Sequence, residues 1–136
     1  MSTCELCTQT GGELLWQGKR CRVVHIDEPG YAGFCRVIWN AHVKEMTDLA
    51  DDDRTHLMHV VLAVEAMLRE QLNPLKINLA SLGNLVAHLH WHVIPRYADD
   101  PHFPLPIWAG AQREASPSRR AARTATLANA LARVLD

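Results

Sequence analysis

A chain of 136 residues is long enough for one domain with a real core and too short for two of ordinary size. Apolar residues make up 48% and charged residues 21%, the balance of a globular protein rather than a disordered or collagenous one. A formal net charge of −1 excludes bulk electrostatic attraction to nucleic acid or to an anionic membrane, so neither is expected as a partner. It leaves room for one nucleotide in a pocket.

The opening MSTCELCTQTGG has neither the basic start nor the apolar run of a secretory signal. No stretch approaches the ~18 apolar residues of a membrane span, so a cytoplasmic location is expected. In that reducing setting Cys4, Cys7, Cys21 and Cys35 do not read as a disulfide framework. Cys21 and Cys35, isolated in apolar runs, read as small buried residues. Cys4 and Cys7 form C-x-x-C, which by itself suits two ordinary thiols or a metal site. A redox role is weaker, since no thioredoxin-like strand and helix surround the pair.

Glu13–Gln17 reads as a first strand after the Gly11-Gly12 turn, and Cys21–Ile26 as a second. DEPGYAG, 27–33, is a loop rich in turn formers, and Phe34–Asn40 a third strand. From Met46 to about Leu72, Leu57, Val60, Val61, Val64, Met67, Leu68 and Leu72 recur at helical spacing. Thr47 with Asp48 can cap this helix. The run Asp51–Asp53 lies where the helix dipole favours negative charge and reads as a solvated first turn. Leu75–Ala80 is a fourth strand, Ser81–Asn84 a turn and Val86–Ile94 a fifth strand. The proline-rich stretch from Pro95 is irregular, and residues from about 116 to 136 read as a closing helix with Ser116 as cap and Pro117 at its first position. Strands, helix, strands, helix predict a single α+β domain, with an antiparallel sheet of about five strands and two helices.

In HLHWHVIPRY, residues 88–97, a histidine occupies every second position. On a strand His88, His90 and His92 share one face while Leu89, Trp91 and Val93 enter the core. A helix would send neighbouring histidines apart, since two residues turn ~200°. Three gathered imidazoles suit a three-histidine metal site, nucleophilic and acid–base work on a phosphate, or an incidental polar face.

His-Leu-His-Trp-His-Val-Ile resembles the signature of the histidine triad family. The similarity extends over roughly residues 4–108, through C-x-x-C, the acidic loop, Asn40-Ala41-His42, the long helix and the glycine turn. The resemblance implies a nucleotide hydrolase or transferase. His90 would attack the α-phosphorus of a dinucleoside polyphosphate, a nucleoside phosphoramidate or an adenylylated conjugate, and water would release the monophosphate. His92 would bind the phosphate and assist the departing group. Gly83 and Asn84 would contact non-bridging oxygens, Asp27 the ribose, and Asn78 the same pocket. A homodimer with joined sheets is also implied. Two departures bear on substrate and activity: Phe34 stands where members often carry a further histidine, and Leu85 where serine or threonine often follows the turn. They leave a regulatory nucleotide-binding protein with vestigial catalysis as the alternative.

Members with an N-terminal C-x-x-C bind zinc through it, together with a histidine after the third strand and the first triad histidine. Here those are Cys4, Cys7, His42 and His88. Two thiolates and two imidazoles close a tetrahedron, so this zinc would be structural and the chemistry would need no catalytic metal. His25 is expected to face solvent, and Trp108 to pack near the pocket, to pack against a partner subunit or, equally, to serve as an ordinary apolar anchor.

Overall fold

The computed structural model describes residues 4–116 and 122–135. Five strands, β1 (Glu13–Gln17), β2 (Cys21–His25), β3 (Cys35–Trp39), β4 (Lys76–Ala80) and β5 (His90–Arg96), form one antiparallel sheet in the order β1-β2-β3-β5-β4. Among the described residues three α-helices accompany it: α1 (Glu5–Thr8), α2 (Asp51–Leu72) and α3 (Thr124–Leu135). The α+β reading thus holds, with one short helix more than the sequence suggested. No helix among the described residues is long and apolar enough to cross a membrane.

Alternation along the strands divides the sheet into two unlike faces. Cys21, Val23, Cys35, Val37 and Val93 point towards α2, whose Leu57, Val60, Val61, Val64 and Leu68 close the main core. Burial pushes the Cys21 thiol up to about 12, which makes it inert packing. α3 completes this side, burying Leu127, Ala130 and Leu131 against α2 and β1. The opposite face has apolar ends and a polar middle. Leu6, Val24 and Ile38 cluster at one end and Tyr31, Phe34 and Ile94 at the other. Between them the registers Ile38↔His90 and Arg36↔His92 set three polar side chains side by side.

The boundaries depart from expectation where polar contacts override local pattern. β5 begins at His90, not Val86, because the His88 N–H turns back to the Val86 carbonyl. It also runs through Pro95 to Arg96. β3 stops pairing at Cys35↔Val93, so the missing Pro95 N–H interrupts no ladder there. Thr47 and Asp48 do not cap the long helix. They belong to a separate 3-10 turn, Met46–Asp48, in which Asp48 accepts the Glu45 N–H, and α2 starts behind Ala50. The first-turn acids take surface ion pairs instead, Asp52 and Asp53 with Arg20, and Asp51 with Arg54. The closing helix begins at Thr124, so Ser116 precedes it by several residues; Pro117 lies outside the described residues. His25 is buried, not solvent-facing, because the start of α3 covers it: its Nδ1 lies 3.5 Å from Thr124 Oγ1.

Beyond β5 the irregular 97–113 stretch is fixed by one buried ion pair. Asp100 accepts Arg96 Nε at 2.8 Å and Nη2 at 3.0 Å, together with the N–H groups of Tyr97, His102 and Phe103. Arg96 spends its remaining donors on Asn78 Oδ1 and the Leu105 carbonyl. Burial alone would raise the Asp100 carboxyl, but Arg96 and the three N–H donors together hold it down at about 2. Its ionised form therefore stabilises the fold above the ordinary carboxylate range, and that contribution is lost as pH falls towards 2. Asp100→Ala leaves a buried guanidinium unpaired. Denaturant unfolding at pH 7 should show a loss of about 3–5 kcal/mol, with a shallower acid limb than wild type.

Candidate functional site: a thiol–imidazole cluster beside a histidine-lined cavity

α1 is too short to be stable alone, and it is held by a side chain from the sheet. Arg22 on β2 donates to the carbonyls of Leu6 at 2.7 Å, Gln9 at 3.2 Å and Thr10 at 3.0 Å, and to Asn40 Oδ1 at 3.1 Å. This fixes the loop bearing Cys4 and Cys7 against the end of β3, where His42 follows, and against the approach to β5, where His88 stands. The four ligand atoms lie within 4.8 Å of one another. Cys4 Sγ is 3.4 Å from His88 Nδ1, Cys7 Sγ is 3.4 Å from His42 Nδ1, and the two Nδ1 atoms are 3.2 Å apart. Zinc bonds of about 2.3 Å to sulfur and about 2.0–2.1 Å to nitrogen, set tetrahedrally, separate ligand atoms by about 3.3–3.8 Å. The cluster therefore has the size and donor set of a closed zinc site.

His88 is ready for that role. Its Nε2 lies 2.6 Å from the Trp39 carbonyl, which can only accept, so Nε2 carries the proton and Nδ1 presents a lone pair to the cluster. Burial pushes this imidazole below its ordinary pKa and keeps it neutral. The backbone of the same residue holds the next histidine. His90 Nδ1 donates to the His88 carbonyl at 2.6 Å, which leaves the His90 lone pair on Nε2.

His90 and His92 are nine-tenths buried yet line a cavity of about 400 Å³ with Gly83, Asn84, Arg36 and Trp108. Their rings meet edge-on at 5.0 Å, and Trp108 meets His92 at the same distance. Gly83 turns the loop at φ +70°, a conformation other residues rarely adopt, and so brings residues 82–86 over His90. Leu85 is fully exposed at the rim, and Phe34 packs its ring edge-on to His92 at 6.0 Å. Of the residues expected at the substrate, Gly83, Asn84, His90 and His92 come together. Asp27 is exposed just after β2 and Asn78 is engaged by Arg96; neither lines this cavity.

Burial pushes the His92 imidazole down to about 4, with His90 and Arg36 adding to the effect, so the ring is neutral at pH 7. Its Nδ1 and the Nε of Arg36 are buried without a hydrogen-bond partner. Arg22, Arg36 and the Trp39 carbonyl escaped the sequence reading. The arginines had a signal, a lone cation inside each of two apolar strands, CRVVH and CRVIW; the carbonyl had none.

The HIT domain model matches residues 8–99. The chain belongs to the HIT family. Membership supports, in general terms, a nucleotide-binding, hydrolase or transferase function. A histidine triad (HIT) protein from Sinorhizobium meliloti is similar over 93% of this chain and 91% of its own, at 27% identity and TM-score 0.73. One from Bradyrhizobium japonicum covers 89% and 90%, at 26% and 0.68. A Zn-bound histidine triad family protein from Mycobacterium smegmatis shares the fold over 97% and 95%, at 19% and 0.67. No curated protein matches the chain at a significant level.

A closed site of two thiolates and two imidazoles gives cobalt a recognisable spectrum. Metal-free protein titrated with Co²⁺ should develop tetrahedral visible bands and sulfur-to-metal charge transfer at one equivalent. Cys7→Ala should lose about half of the charge-transfer intensity, since one of two thiolates remains, and bind about tenfold or more weakly. An octahedral, thiolate-free spectrum in wild type would rule the assignment out.

Proposed function

We propose that the chain is a nucleotide hydrolase or nucleotidyl transferase acting at the α-phosphate of a nucleoside phosphate derivative. His90 Nε2 attacks the α-phosphorus, and the bond to the leaving group breaks with its electron pair. A nucleotidyl-histidine remains, which water attacks at phosphorus, releasing the nucleoside monophosphate and restoring the imidazole. The observation that carries this reading is the hydrogen bond from His90 Nδ1 to the His88 carbonyl, which aims an unprotonated nitrogen from a buried ring beside a cavity. A neutral His92 can hydrogen-bond the leaving atom, and the Gly83–Asn84 turn offers donors to non-bridging oxygens as charge shifts. Asp27 is proposed for the ribose and Asn78 for the margin of the same site, reached through movement of its Arg96 contact.

Zinc at Cys4, Cys7, His42 and His88 would be structural, tying α1 to the approach of β5; the Zn-bound relative supports that reading. No position would remain open for water, so the metal would not act in the chemistry. A reducing, cytoplasmic setting keeps both thiols available. A homodimer would join sheets along the outer edge of β4, next to the exposed Leu75 that precedes this strand.

Brief mixing with diadenosine triphosphate, followed by acid-free intact-mass measurement, should show a nucleoside monophosphate adduct. His90→Ala should form none and lose about 10³-fold or more in turnover, with an unchanged thermal melt. Near-normal turnover in that variant would sink the proposal.

A further inference from the structure

Three arginines stand within or at the ends of the buried strands, and they fare differently. Arg22 and Arg96 spend their forks on carbonyls and a carboxylate. The side chain of Arg36, between Cys35 and Val37 on β3, donates no hydrogen bond and forms no ion pair among the described residues. Its Nε is buried without an acceptor. Phe34 lies under the guanidinium at 5.9 Å, which accounts for packing of the plane but satisfies no N–H. Glu5, at the rim of the same cavity, and Glu28 act on Arg36 only through space. Arg36 as a whole is only half-buried, so the cost falls on its Nε–H, a buried donor that loses its hydration unless something supplies an acceptor.

The acceptor's place is defined. Arg36 is directly opposite His92 in the ladder, and both line the cavity. His92 adds a second buried nitrogen, Nδ1, also without a partner, on a ring only 6% exposed. Two adjacent nitrogen groups lacking partners in one cavity suit a group with several oxygens and negative charge. His90 lies two pairs further along the strands, opposite Ile38, a stride of about 6.6 Å. An α-phosphorus seated at His90 would therefore leave Arg36 beside the group bonded to it.

We infer that Arg36 is a specificity-determining residue that binds an anionic leaving group, so that the favoured substrates carry a further phosphate beyond the α-position, as nucleoside polyphosphates do, in preference to conjugates with a neutral leaving group. The inference rests on the proposed nucleotidyl transfer at His90. As the bond from the α-phosphorus to the bridging oxygen breaks, its electron pair stays on the departing phosphate, and Arg36 neutralises that charge without a proton transfer.

The test compares wild type, Arg36→Leu and Arg36→Lys. The readouts are kcat/KM for diadenosine triphosphate and for adenosine 5′-phosphoramidate, and calorimetric binding of inorganic pyrophosphate alone. Arg36→Leu should lower the ratio of the two kcat/KM values by about tenfold or more and weaken pyrophosphate about tenfold. Arg36→Lys, which keeps the charge without the fork, should recover part of both and serves if the leucine variant fails to fold. An unchanged ratio would overturn the assignment to the leaving group, and unchanged pyrophosphate binding would overturn anion binding at Arg36. If wild type forms no nucleotidyl adduct with either nucleotide, the proposed function fails, while the pyrophosphate result still decides Arg36.

Discussion

The architecture of the site turns on one buried residue that is used three ways. His88 is wholly inaccessible, its Nε2–H is bound to the Trp39 carbonyl, its Nδ1 faces the two cysteines, and its own carbonyl holds the ring of His90. Each contact restricts the next. The Trp39 bond sets the tautomer that makes Nδ1 a ligand atom, and the backbone set by that ring places the acceptor for His90. The thiol–imidazole cluster and the cavity are thus separated by a single residue along the chain. A tilt of His88 would move the carbonyl that determines which nitrogen of His90 bears the proton.

The rest of the sheet can be read as support for this arrangement. A face with three polar side chains at its centre is a poor core, and it is usable because both ends are sealed. Leu6, Val24 and Ile38 close one end under α1, and Tyr31, Phe34 and Ile94 close the other. Neither the α1 loop nor the 97–113 stretch has much regular structure to hold it. Each is tied down by an arginine reaching out of a strand to backbone carbonyls, Arg22 on one side and Arg96 with Asp100 on the other. The buried forks replace hydrogen bonds that helix or sheet would otherwise supply. Trp108 reaches His92 because the second stretch is held in this way.

What was legible in the sequence follows from which forces are local. Alternation gave β1 to β3 within a residue or two, and the 3.6-residue recurrence from Leu57 to Leu72 marked the long helix, because both patterns report burial directly. The triad and the C-x-x-C pointed to residues that the fold gathers, His90 with His92 in one cavity and Cys4, Cys7, His42 and His88 in one cluster. Legibility failed where a distant partner decides. Nothing near Val86 indicates that the His88 N–H will fold back, nothing near Thr47 that Ala50 will precede the helix, and nothing near His25 that α3 will cover it. Asp27 and Asn78 were assigned by resemblance, and sequence order says nothing of the Arg96 contact that occupies Asn78.

The electrostatics of the cavity complete the picture. Desolvation keeps His92 neutral, and the neighbouring Arg36 guanidinium adds to that by disfavouring a second positive charge. Both effects act in one setting, a largely buried polar centre that holds the half-buried Arg36 guanidinium and, among the described residues, no anion within bonding distance. A phosphoryl group entering beside Arg36 would supply one. It would give the guanidinium its acceptor, supply Nδ1 of His92 with a neighbour, and raise the proton affinity of His92 as negative charge arrives. Linkage then requires that a ligand which raises the affinity of His92 for protons bind more tightly as pH falls towards the raised value. The resting neutrality of His92 and the unpartnered Arg36 Nε belong to one setting, and an anionic group is the ligand that would suit both.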